Sequence, residues 1–131
     1  MRFSAAAGIM AILMAAVLAP LAGAADESLL YTAQTLTISS DPGADSFTAG
    51  VKRKGVFNVS ITGTWSGTVR LQRSFDRVDV ASDALATWRD ITTYTANTED
   101  MAYEPEGDVY YRIGMANGDY SSGAPTMRLG K

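Results

Sequence analysis

From Gly55 to Phe75 the chain reads GVFNVSITGTWSGTVRLQRSF, and apolar residues occupy alternate positions along most of it. Phe57, Val59 and Ile61 fall on one side, and Asn58, Ser60 and Thr62 on the other. That period of two is the signature of a half-buried strand, since successive side chains of a strand point to opposite faces. Beyond Gly63 the alternation resumes, with Trp65, Val69 and Leu71 set against Thr68, Arg70 and Gln72. The pattern predicts two strands joined as a hairpin at Gly63, built for packing.

Weaker alternation extends over the rest of the chain. Gln34 to Ser39 predicts a first strand with Leu36 and Ile38 on one face, followed by a Ser-, Asp-, Pro- and Gly-rich loop from Ser40 to Gly50. A strand is expected around Thr87 to Tyr94, then a polar bend from Thr95 to Asp100. In Gly107 to Met115, GDVYYRIGM, the residues Val109, Tyr111, Ile113 and Met115 share the core side, with Tyr110 and Arg112 opposite. Asn117-Gly118-Asp119 and Ser121-Ser122-Gly123 read as turns before a closing strand, Thr126 to Gly130, with Met127 and Leu129 inward. Six or seven short strands at this spacing predict an all-β fold, a single antiparallel β-sandwich of the immunoglobulin type over residues 36–131.

The start of the chain has a different texture. Arg2 is followed by an apolar stretch from Ala5 to Leu21, then by Ala22-Gly23-Ala24. A basic start, an apolar middle and a small-residue ending match a secretory signal peptide over residues 1–24, cut before Ala25. The rival readings are a transmembrane anchor, for which Ile9 to Ala19 is short and Pro20 interrupts, and a start site annexed upstream of the working protein. Residues 25–35 then form an extended arm.

Without residues 1–24 the remaining 107 residues carry all 14 acidic and 10 of the 11 basic groups, a net charge of −4. No basic face is in sight that could replace counterions on nucleic acid, so no nucleic-acid partner is expected. Lys52-Arg53-Lys54, the one basic cluster, reads as a solvated turn that also blunts a sheet edge. With no cysteine and no histidine, disulfides, thiolate and imidazole ligands, and Ser-His-Asp or Cys-His catalysis are all excluded.

Carboxylates are the remaining candidates for chemistry. Glu104-Pro105-Glu106 with Asp108 is their densest group, and it reads as a charged rim between two strands with Pro105 fixing the bend. Sequence neighbours on such a bend do not provide two carboxylates facing each other across a cleft, as a glycosidase needs. Calcium held by Glu99, Asp100, Glu104 and Glu106 would need only oxygen ligands, but their spacing is not that of an EF-hand. No catalytic residue, metal ligand or cofactor is therefore assigned. Flat rings can stack on sugar faces, and Tyr110 and Tyr120 are the aromatics best placed at the surface to contact a ligand.

Ser74-Phe75-Asp76 followed by Thr87-Trp88 resembles the Asp-box hairpin turn, with a long insert, Arg77 to Ala86, in its middle. Taken together, LLYTAQTLTI, GVFNVSITGTWSGTVRLQRSFD, YTANTED, YEPEGDVYYRIG and GDYSSGAPTMRLGK, spanning residues 29–131, resemble small phage and prophage virion proteins. The resemblance implies a non-enzymatic head-decoration or tail component that meets itself and capsid or tail proteins. It implies that the arm, through Leu29, Leu30, Tyr31 and Leu36, pairs with a neighbouring subunit by strand addition, and that cyclic homo-oligomers form. The location would then be the virion, or outside the cytoplasm if the leader acts. The alternative is a secreted or periplasmic β-sandwich that binds a cell-surface glycan or another surface ligand.

Overall fold

The structure is a computed structural model that describes residues 32–76 and 85–130. The leader-like segment, Leu29, Leu30, Tyr31 and most of the inserted loop lie outside the described residues. Among those described, the fold is all-β and antiparallel. Its strands are β1 (Gln34–Thr37), β2 (Ser46–Phe47), β3 (Val51–Thr62), β4 (Trp65–Gly67), β5 (Val69–Ser74), β6 (Arg89–Tyr94), β7 (Thr98–Met115), β8 (Tyr120–Gly123) and β9 (Thr126–Gly130). Seven form one sheet in the order β1-β9-β3-β7-β5-β6, with β2 also paired to β7, and β4 and β8 form a separate ribbon. No helix of the described residues is long and apolar enough to cross a membrane.

The alternation read in the sequence translates directly into burial. Phe57, Val59 and Ile61 of β3, Val69 and Leu71 of β5, Val109, Tyr111, Ile113 and Met115 of β7, and Met127 and Leu129 of β9 make up most of the core. Removing each large apolar side chain from water stabilises the fold by about 1.5–3 kcal/mol. Trp65 and Tyr120 of the small ribbon pack onto the same cluster, so the ribbon covers the core rather than standing apart.

Strand pairing departs from the expected hairpin. β3 and β5 are not partners, because β7 runs between them. Gly63 does end β3, but the chain is then held sideways. Asn97 donates to the Gly63 carbonyl at 2.9 Å and accepts the Trp65 indole N–H at 2.7 Å, while Ala124 donates to the Thr64 carbonyl at 3.0 Å. These contacts deliver Trp65 to β8, and β5 then returns on the far side of β7. The bend expected at Thr95 to Asp100 is confined to its start, since β7 begins at Thr98 and continues unbroken to Met115. Ser121 to Gly123 is strand β8 rather than a turn, and the loop from Ser40 to Gly50 contains β2.

The long β7 is irregular at one place. Arg53 pairs with Val109 and Gly55 with Glu104, so a two-residue step in β3 faces a five-residue step in β7. Pro105 lies within this bulge, where a missing N–H leaves no ladder bond unmade. On the β3 side Gly55 has φ +76°, a backbone region that side chains with a Cβ rarely adopt. The odd step inverts sidedness: Val109, Tyr111 and Ile113 face the core after the bulge, whereas Ala102 and Glu104 face it before.

The basic cluster corrects the sequence reading most sharply. Lys52, Arg53 and Lys54 lie inside β3, not in a turn, and Arg53 is fully buried because it shares the inward parity of Val51 and Phe57.

Backbone proximity at Gly114 gives a test. A Cβ there would collide with the Ser46 carbonyl and with Phe47, whereas one at Gly107 meets nothing within 4 Å. Gly114→Ala should lower unfolding stability by about 1–3 kcal/mol by displacing β2, and Gly107→Ala should change it by less than about 0.5 kcal/mol. Urea denaturation of both variants checks the contrast, and equal effects would mean that β2 does not lie against Gly114.

Candidate functional site

Outward-facing residues of β3, β7 and β9 form a mixed apolar and charged surface. Val56 is opposite Tyr103, Asn58 opposite Met101, and Ser60 opposite Glu99. On the other side of β3, Asn58 is opposite Gly130 and Ser60 opposite Arg128. Met101 is 71% exposed, Tyr103 68% and Val56 51%, high values for large apolar side chains at neighbouring sheet positions. Gly130 leaves room beside them, and the Arg128 guanidinium occupies the space that a Cβ would take. Tyr, Met and Arg are the side chains enriched where proteins touch one another.

The bulge that turns these residues outward is pinned from beneath. Glu104 is only 2% exposed and accepts the Tyr111 hydroxyl at 2.6 Å, the Glu106 amide at 3.1 Å and Arg73 at 3.4 Å. Burial pushes the Glu104 carboxyl up, but the Tyr111 hydroxyl, the Glu106 amide and the Arg73 charge outweigh it and hold the group below its usual value. Burial, and then the bond to Glu104, pushes the Tyr111 phenol up to about 12. The Tyr111 ring packs on Phe57 with centroids 4.7 Å apart. The carboxylate expected on a charged rim is instead an interior fastener, with donors on both of its oxygens.

Arg53 secures the opposite flank. Its guanidinium donates to the Thr32 carbonyl at 2.9 Å and to the Leu129 carbonyl at 3.4 Å, tying the chain ahead of β1 to β3 and β9. Burial, then the nearby Arg128 charge, lowers its pKa from the ordinary arginine value.

Across β5 and β6 the outer face carries a polar ladder. Arg112 donates to Gln72 at 2.8 Å, Gln72 to Asp90 at 2.8 Å, Arg70 to Asp90 at 2.7 Å, and Arg70 doubly to Asp119 at 2.6 and 3.0 Å. Gln72 first, and Arg70 with it, holds Asp90 below its usual carboxylate range, and Arg70 does the same for Asp119. The Arg112 guanidinium lies over the rings of both Phe47 and Trp88, at 4.1 and 4.4 Å from their centroids. Asp76 accepts the Thr87 amide at 2.6 Å, a bond that joins the two residues flanking the insert.

The residues singled out from sequence are dispersed. Leu36 is half-buried against the chain's own core, in register with Met127. Tyr110 lies half-buried on the outer face, with the Lys52 ammonium 5.7 Å from its ring centroid. Tyr120 packs on the core and donates its hydroxyl to the Gly123 carbonyl at 2.8 Å, so it forms no common platform with Tyr110. Of the four carboxylates considered for calcium, Glu99 accepts the Ser60 hydroxyl, Asp100 accepts that of Tyr94, and Glu104 is buried. Among the described residues no group of three or more acidic side chains could hold a metal ion.

Neither Met101 nor Tyr103 is singled out by the sequence reading. Extending the inward parity of Val109 and Tyr111 back along β7 places both residues inside, and the bulge reverses that. Pro105 and Gly107 are the available signal of an irregular strand.

The Glu104 fastener makes an acid-side prediction. A carboxyl with a depressed folded pKa contributes stability above its unfolded value, about 4.3, and loses it as pH falls through the folded value. Tyr111→Phe should cost about 1–3 kcal/mol at pH 7 and shift acid unfolding to higher pH, because Glu104 protonates sooner. Urea melts from pH 7 down to pH 2.5 test this, and parallel stability profiles for the two proteins would rule out the pairing.

No protein-family model matches the chain, and no curated protein matches it. Among solved structures it is similar to the Yersinia pseudotuberculosis-derived mitogen, with a TM-score of 0.44 and 14% identity over 76% of this chain and 83% of that one. Similarity of that degree bears on neither the fold family nor the function of this chain.

Proposed function

We propose that the chain is a non-enzymatic structural protein that acts through protein–protein contacts, as its resemblance to phage and prophage virion proteins implies. The observation that carries the reading is the exposed row of Val56, Met101 and Tyr103 on a face stiffened from beneath by Glu104 and Tyr111. Apolar side chains gathered on one sheet face are the usual mark of a contact surface. In this reading the seven-stranded sheet and the β4–β8 ribbon are parts of a two-layer sandwich, and the protein works in a virion or, exported, at a cell surface.

Glycan binding is the competing role, and its two named tyrosines support it less. Tyr120 spends its hydroxyl on Gly123 and its ring on the core, and Tyr110 is half covered. Light scattering coupled to size exclusion, over a wide concentration range, distinguishes the two roles. A discrete oligomer that Met101→Glu dissociates is expected. A monomer at every concentration would overturn the assembly reading and make a glycan array the next experiment.

A further inference from the structure

The contact face is arranged so that it can meet itself. Ser60 stands in register with Glu99 on its β7 side and with Arg128 on its β9 side, at the same level along β3. The two charges are therefore opposite in sign and lie one strand to either side of β3, about 10 Å apart at the backbone. Glu99 accepts only the Ser60 hydroxyl, at 2.8 Å, among the hydrogen bonds of the described residues. The ion pairs of those residues join Arg70 to Asp90 and Asp119, and Arg73 to Glu104, so neither Glu99 nor Arg128 belongs to one.

Resting on the contact reading above, we propose that the occupant of this face is a second copy of the chain, related by a two-fold axis running parallel to β3. Such an axis keeps each residue's level along the strand and exchanges the β7 side with the β9 side. Glu99 of each copy then lies over Arg128 of the other, so two reciprocal ion pairs close the interface. Val56 meets its own counterpart at the centre, and Met101 lies over the other copy's Gly130 and the arginine that covers it. The same patch on both partners is what two-fold association requires, and charge complementarity fixes its register. A partner of different sequence would have no reason to match a plus and a minus placed symmetrically about β3.

The symmetry makes a sharp test on the full chain. Glu99→Arg and Arg128→Glu should each weaken self-association about tenfold or more, because each places like charges together twice. Mixed in equal amounts, the two variants should form a heterodimer. The two substituted positions then face each other with opposite charge, and the native Glu99 of one variant faces the native Arg128 of the other. Light scattering and analytical ultracentrifugation read all three samples, with circular dichroism to check that each variant is folded.

Recovery of the dimer on mixing is the expected result. A mixture that stays monomeric overturns the two-fold arrangement. If Met101→Glu dissociates the protein and the charge variants do not, the arrangement falls while the contact face stands. If none of the three substitutions changes the mass, both fall together.

Discussion

The interaction on which the rest of the molecule depends is the bond between the Tyr111 hydroxyl and the Glu104 carboxylate, 2.6 Å long and buried under the bulge of β7. The eighteen-residue strand β7 keeps β3 as its partner on both sides of the bulge and takes on β5 and β2 only in its far half. Between the two halves β7 carries three extra residues relative to β3, and across them the parity changes. An inserted bulge of this size leaves the ladder open at its centre, and something must hold the two halves in place. Glu104 does so from the near half and Tyr111 from the far half. Arg73, on the adjacent β5, is drawn to the same carboxylate.

Several features follow from that one fastening. With the near half inverted, Met101 and Tyr103 are turned to solvent beside Val56, and the outer face becomes apolar where a uniform alternation would have made it polar. Along the other edge of the far half β5 pairs with β7 and β6 pairs with β5, and the ladder from Arg112 to Asp119 locks the three strands together. Asp119 also closes its own turn, accepting the Ala116 amide at 3.0 Å, so the ladder and the β7–β8 connection are stabilised as a unit. Of the buried polar groups at the two flanks, Glu104 has donors on both carboxylate oxygens and Arg53 reaches the Lys52, Thr32 and Leu129 carbonyls through its terminal nitrogens, as burial in a low-dielectric interior favours.

Much of this was legible in the sequence. The closing strand Thr126–Gly130 lies where the alternation places it, with Met127 and Leu129 inward, and the core residues of β3, β5 and the far half of β7 are those the period of two selects. The errors share a cause. Alternation states which side a residue faces relative to its neighbours but carries no record of which strand lies beside it, so two good strands joined at Gly63 looked like a hairpin. Charge was misleading for a related reason: Lys52-Arg53-Lys54 and Glu104 are polar in composition, yet their strand parity sends Arg53 and Glu104 inward, where carbonyls, a phenol and a guanidinium receive them.

By itself, then, the sequence determined the all-β class, the faces of its strands and the exclusion of thiol and imidazole chemistry, because those depend on local period and on residue types present or missing. Pairing order, the bulge and the identity of the exposed row were decided only in three dimensions. A partner strand distant in the chain supplies the hydrogen bonds that set register, and a single odd step in that register moves every following side chain to the opposite face.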